Sequence, residues 1–253
     1  MSEARGIYTL WKREVLRLWR EKSRLVSSVV TPILWLVIFG TGLGMAMAAR
    51  AGGFNYQQFL FPGIIGQTLL FTAMFMGISV IWDKQFGFMK EILVAPVSRL
   101  SIFIGKMLGV GTNSMLQGII VLALGFFIGI PMSGVMVVET ILLMLLITIG
   151  LVCIGLIIAS VLNSLENFGV IMTFVNMPMF FLSGALFPVA TLPDWLKWAF
   201  YLNPLTYGVD ALRAVTMGSQ WPTILPLWQL IVVIVAFDVL MVLVGSYAFT
   251  RTK

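Results

Sequence analysis

Apolar residues run along this chain in long blocks, and the polar ones gather in a few islands between them. Six blocks, at about residues 25–49, 59–82, 102–130, 139–162, 168–187 and 226–249, are each long enough for a helix to cross a bilayer core, which takes about 20 residues. Residues 5–24 follow a different pattern. Ile7, Trp11, Val15 and Leu18 recur at helical spacing with Tyr8 and Trp19 beside them, while Arg13, Arg17, Arg20 and Arg24 occupy a separate arc. Basic residues opposite an aromatic-rich stripe predict an amphipathic helix lying in a membrane interface, within residues 1–24.

The largest charged island, residues 83–106, reads DKQFGFMKEILVAPVSRLSIFIGK. A helix is expected over residues 86–94, stopped by Pro96, because the residue before a proline is pushed out of the α region. Ser98 then caps a helix entering the third block. A short helix held at the end of two spans is a handle that something on that side of the membrane can push. At the other side, residues 188–225 are too long for a turn and too apolar for a solvated loop. Asp194 opens a predicted helix over residues 195–202, ended by Asn203 and Pro204, and a second runs over 206–217 to Gly218. Asp210 and Arg213, three apart, fall on one face and are expected to pair. Irregular backbone at membrane depth survives only when packed in protein or lining a cavity, so these segments read as outer re-entrant or interfacial helices at a gate or an oligomeric interface. The expected fold is all-α and integral to the membrane: one domain over residues 1–253, with a six-helix membrane part over 25–249.

Composition agrees, with 60% apolar and 10% charged residues and a mean hydropathy of +1.03. The first apolar block starts too late and runs too long for the core of a secretory signal. The net charge of +6 invites nucleic acid as a partner, but the cations sit at span ends. Of the 16 Lys and Arg, thirteen fall on the side of the N-terminus and of residues 83–106, and three on the other. That bias predicts cytoplasmic termini and a cytoplasmic handle.

Histidine is absent, which removes the commonest general base and metal ligand, and the single Cys153 lies in an apolar block as an inert buried thiol. Asp238, near the centre of the last block, is costly in lipid and must face protein or water. It is a buried hydrogen-bonding group, a contact for a cationic substrate or a proton relay. Asn113, Gln117 and Asn176 are interhelical glue or line a path, and Met177, Met179, Phe180 and Phe181 form a soft apolar lining or face lipid. Glu139 and Glu166 stand at span ends, where carboxylates reach water. No G-x-x-x-x-G-K-S/T occurs. The only Gly-Lys pair, Gly105-Lys106, is followed by Met107, with Leu100 where the first glycine should stand, so an ATP-driven activity needs another polypeptide or domain for its phosphate site.

Gly184, Phe187-Pro188, Pro193, Trp195-Leu196, Asn203-Pro204-Leu205 and Arg213 resemble, in order and spacing, the signature of ABC-2 type transporter permeases, membrane subunits of ATP-driven exporters. Phe86-Gly87, Lys90-Glu91-Ile92-Leu93, Ala95-Pro96-Val97-Ser98-Arg99 and Gly105-Lys106 look like the cytoplasmic loop of the daunorubicin-type drug-export branch. The resemblance implies a coupling helix over residues 88–97 docked on an ATPase subunit, with Phe88, Lys90, Glu91, Leu93, Pro96 and Arg99 at the contact. It makes the helix carrying Arg13, Arg17, Arg20 and Arg24 the interface helix, and places Gly184, Pro188, Trp195, Asn203, Pro204 and Arg213 at an outer gate. Asn113, Gln117, Asn176 and Asp238 are candidates for the substrate path. It further implies two permease copies as a homodimer, two ATPase subunits carrying ATP and Mg, no cofactor on this chain and no enzymatic activity of its own, in the plasma or inner membrane. The substrate class is a hydrophobic drug, a lipid or a lipid-linked molecule. Two other readings remain: a proton-coupled secondary transporter working through Asp238, which such folds usually accompany with repeats that are not visible here, and a membrane-embedded lipid enzyme, which the scattered carboxylates and missing histidine disfavour.

Overall fold

The computed structural model describes residues 3–20, 22–51, 56–94, 96–189, 192–218 and 222–250, without the side chains of 22–25, 27–29, 43, 45–51, 90 and 93. Every regular element among them is an α-helix: α1 (Glu3–Arg20), α2 (Lys22–Ala51), α3 (Tyr56–Phe75), α4 (Ile78–Gln85), α5 (Phe88–Val94), α6 (Arg99–Phe127), α7 (Gly134–Val161), α8 (Leu165–Phe181), α9 (Asp194–Leu202), α10 (Pro204–Met217) and α11 (Leu227–Thr250). Among the described residues, four stretches are long and apolar enough to cross a membrane: Tyr56–Gln85, Arg99–Phe127, Gly134–Val161 and Leu227–Thr250. Val30–Gly42 and Leu165–Phe181 are shorter apolar helices.

Local chemistry sets the helix ends. The hydroxyls of Ser98, Ser133 and Ser164 accept from the amides of Ser101, Met136 and Asn167 and so cap α6, α7 and α8. The predicted cap at Ser98 is therefore present. Besides earlier starts for α7 and α10, three features differ from the sequence expectation. The handle helix starts at Phe88, because Gly87 adopts φ 80° and turns the chain out of α4. The second span breaks at Met76 and Gly77 and resumes as α4. The fifth block stops being helical at Phe181, and residues 182–187 turn back through Gly184 at φ 73°.

The bundle is organised around α3. Its residues are apolar on all sides, as a fully enclosed helix requires, and 78% of the Tyr56–Gln85 window is buried against 17% for α11. Helices α2, α6, α7, α8 and α10 pack around it. The break after Phe75 sits where backbones nearly touch: a Cβ at Gly77 would lie 2.5 Å from the carbonyl oxygen of Gly155 in α7, and one at Gly155 would lie 2.7 Å from that of Met74. Neither obstacle is a flexible side chain, so neither can yield cheaply.

Gly77→Ala is expected to destabilise the protein by about 1–3 kcal/mol through overpacking. Gly169→Ala, where a methyl meets nothing within 4 Å on the face of α8, is expected to be neutral or slightly stabilising. Heat unfolding in detergent, followed by circular dichroism, measures both.

Candidate functional site

Around the handle, three charged side chains leave water together and a fourth, Arg13, follows them part of the way. Asp83 stands near the end of α4 and Lys106 in the second turn of α6, both fully buried, and Glu14 of α1 is almost as enclosed. A buried charge costs several kcal/mol unless matched, and here two cations meet two carboxylates. The Arg13 guanidinium grips both Asp83 oxygens as a fork, with Nη1 3.1 Å from Oδ2. Lys106 Nζ donates to Asp83 Oδ2 at 2.5 Å and to Glu14 Oε1 at 3.2 Å. One cluster thus ties α1, α4 and α6.

Further contacts extend this clamp. Arg13 also lies over the ring of Phe88, the first residue of α5, at 5.4 Å, and Arg17 lies over Trp82 at 4.8 Å. Lys84 Nζ donates to the carbonyls of Ala159, Ser160 and Leu162, filling acceptors at the C-terminal end of α7. After the handle, the Glu3 carboxylate accepts from the amide (3.1 Å) and hydroxyl (2.9 Å) of Ser98. Hydrogen bonds from the Ser101 hydroxyl, the Ser98 amide and the Ser98 hydroxyl hold its carboxyl below the usual range. Arg99 Nη1 donates to the Thr250 carbonyl at the end of α11, at 2.7 Å. Held this way, α5 buries Met89 and leaves Phe88, Glu91 and Val94, at helical spacing, exposed on one stripe. Pro96 is exposed as well, and the side chains of Lys90 and Leu93 lie outside those described.

Helix α1 buries Gly6, Glu14 and Leu18 and leaves Tyr8, Leu16 and Trp19 exposed. In a membrane the apolar arc can face lipid, and small and polar residues turn toward protein. Helix α1 lies along the first turns of α6, with Leu10 against Gly105 and Glu14 against Gly109. The Trp11 indole donates to Thr112 at 3.0 Å. Arg13 and Arg17 reach across to α4 and α5, Arg20 is exposed, and the side chain of Arg24 is outside the described set. Sequence reasoning placed Asp83 as a loop boundary and Lys106 as a boundary and half of the Gly105-Lys106 pair, gave neither a buried partner, and passed over Glu3 and Glu14. The available signals were a lone Lys106 inside an apolar run and carboxylates in an otherwise basic helix.

At the far end, buried polar groups staple the short outer helices to the bundle. Asn203 caps α10 through the Leu205 amide and donates to the Met179 carbonyl of α8, and Pro204 fills the first helical position, where no amide is needed. Thr206 donates to the Leu182 carbonyl. Arg213, buried, donates to the Gly184 carbonyl at 3.0 Å and lies 4.0 Å over the Phe59 ring. Asp210 accepts from the Ile224 amide at 2.7 Å and also lies near enough to Arg213 for their opposite charges to attract. Trp195 is 76% and Trp198 73% exposed on α9, and Pro188 is half-buried.

Of the four candidate path residues, Gln117 lines the larger cavity and Asp238 a separate crevice. A cavity of about 340 Å³ opens among α2, α3, α6 and α8, lined by Trp35, Gln67, Phe71, Thr72, Gln117 and Phe180 among others. Gln117 is thus placed there, accepting from Thr72 at 2.7 Å, and so is Met177. Asn113 and Asn176 are buried elsewhere, their amides without a hydrogen bond among the described residues. Asp238 sits in a crevice of about 20 Å³ with Ile147, Leu205 and Phe237, against Gly150.

Residues 5–217 match the family described as ABC-2 type transporter. The chain is 32% identical over 220 residues, 85% of its length and 75% of the relative's, to the "Putative transport permease ycf38" of Cyanophora paradoxa. It is 28% identical over 238 residues, 92% of its length and 91% of the relative's, to the "Inner membrane transport permease YadH" of Escherichia coli strain K12. Similarity extends to "Nodulation protein J" of Rhizobium leguminosarum bv. trifolii, at 26% over 217 residues, 83% of this chain and 78% of that protein.

Lys106→Met strands two carboxylates with one cation and is expected to cost about 3–5 kcal/mol of stability. Lys106→Met with Glu14→Gln leaves the Arg13–Asp83 pair balanced and should recover most of that loss. Unfolding of both variants in detergent micelles measures the difference.

Proposed function

We propose that this chain, which belongs to the ABC-2 type transporter family and is therefore a membrane permease subunit of an ABC transporter, serves an exporter driven by a separate ATPase. In this reading it is a six-span protein of the plasma or inner membrane with both termini in the cytoplasm. Two copies form a homodimer with two ATPase subunits that carry ATP and Mg, and the complex moves a hydrophobic drug, lipid or lipid-linked molecule outward, as in the daunorubicin-type branch. The observation that carries the proposal is the handle. Helix α5 offers a free stripe of Phe88, Glu91 and Val94 while Arg13, Asp83, Lys106 and Glu14 clamp its base to two spans. A partner that grips the stripe moves α4 and α6 with it. No phosphate-binding glycine loop occurs in these 253 residues, so the chemical step belongs to another polypeptide or domain.

The apolar cavity at Gln117 and Phe180 supports passage of a greasy substrate, and Gln67, Thr72 and Gln117 supply a few polar groups to orient it. The outer helices α9 and α10, tied down through Asn203 and Arg213, are the elements that part on the far side. The proton-coupled reading has less support, because the crevice at Asp238 has room for about one water and does not join the cavity lining.

Purification of the tagged chain in mild detergent from its native host is expected to retain a soluble P-loop ATPase, and Glu91→Arg to lose it along with transport. Intact assembly and transport in Glu91→Arg overturns the docking assignment. No ATPase, even after gentle cross-linking, overturns the exporter.

A further inference from the structure

A groove of about 540 Å³ runs along α1, lined by Thr9, Lys12, Arg13, Leu16, Arg17 and Arg20. Four of its six lining side chains are cations. Arg13 is fixed by the Asp83 fork and Arg17 by the ring of Trp82, so both guanidinium groups are held in place before any ligand arrives. Lys12 and Arg20 are exposed. Among the described carboxylates, Asp83 is taken by Arg13 and Lys106 and Glu14 turns away to Lys106, so neither pairs with Lys12 or Arg20. The groove's lip is apolar: Leu16 lines it, and Tyr8 and Trp19 are exposed beside it. Trp82 and Asp83, which it adjoins, stand at the end of the Tyr56–Gln85 span, where apolar residues give way to charge. That is the depth of lipid phosphates.

We propose that this groove binds the headgroup of one anionic glycerophospholipid of the inner leaflet. The phosphate sits among Lys12, Arg13, Arg17 and Arg20, and the glycerol and first acyl carbons lie on Leu16 and Trp19. A cationic floor with an aromatic lip suits the boundary between phosphate and acyl chain, whereas an acidic protein segment has no use for the apolar lip. Because Arg13 belongs to both the groove and the buried cluster, a bound lipid braces the base of the handle.

The test is native mass spectrometry of the detergent-purified protein offered phosphatidylglycerol and phosphatidylcholine in equal amounts. It needs no ATPase partner, so its failure is separate from failure of the exporter reading. The wild type is expected to retain phosphatidylglycerol by about tenfold over phosphatidylcholine. Lys12→Gln with Arg20→Gln is expected to fall to parity at unchanged helix content, and Lys12→Arg with Arg20→Lys to keep the preference. Leu16→Glu, which keeps every cation, should lose it too and serves if the double glutamine variant fails to fold. No preference in the wild type, or an undiminished one in the glutamine and Leu16→Glu variants, overturns the proposal. So does loss of a co-purifying protein from the glutamine variant while its lipid preference stays.

Discussion

Burying an ion leaves a chain little freedom, and this one buries three together with a fourth, Arg13, reaching in from the surface. Lys106 enters the bundle only because Asp83 and Glu14 meet it there, and Asp83 is tolerable only because Arg13 and Lys106 use both its oxygens. Those residues come from three helices, so satisfying the charges fixes the helices relative to one another. Helix α5 hangs from this knot: Arg13 touches Phe88 on one side, and Glu3 and Arg99 secure the chain after it on the other. A peripheral seven-residue helix is thereby made part of two spans. Removing the knot from the description leaves a short helix on a loop, able to bend without moving anything.

The opposite end applies the same physics with carbonyls in place of carboxylates. Arg213 is buried, and the Gly184 carbonyl reaches it only because the chain turns back at Gly184, where φ is 73°. Asn203 does two jobs with one amide, capping α10 and reaching the end of α8. Helix α10 adds these contacts to broad packing on α3, α7 and α11, with residues 205, 206 and 208–213 buried, while α9 packs lightly and keeps its tryptophans outward. An element packed as lightly as α9 can move as a unit, which suits a gate.

The helices were largely legible in the sequence because their signals are local: long apolar blocks, serines before helices, and prolines and glycines after them. The handle and both outer helices were visible for the same reason. What joins them was not. Arg13 and Asp83 are 70 residues apart and Lys106 and Glu14 are 92 apart, and nothing in spacing alone pairs them. Periodicity marked the amphipathic character of α1 but not that Glu14, in an otherwise basic helix, turns inward to Lys106. The break at Gly77 lacks a proline to announce it; its cause is the backbone of Gly155 in another helix. Gln117 lines the cavity, whereas Asn113 and Asn176, each one turn away from a lining residue on the same helix, and Asp238 do not, a difference of depth that a one-dimensional pattern cannot supply.

The central claim is that α1 and α5 move as one body when the complex works. It is tested most directly by electron–electron spin distances between labels at Tyr8→Cys and Val94→Cys, both exposed. They would be recorded in the assembled complex without nucleotide and with ATP trapped, alongside a second pair joining Val94→Cys to Trp195→Cys at the outer end. The account predicts one narrow distribution for the first pair in both states and a shifted one for the second. A first-pair distance that shifts or broadens with ATP would mean that the handle bends on its own, and the coupling described here would be wrong.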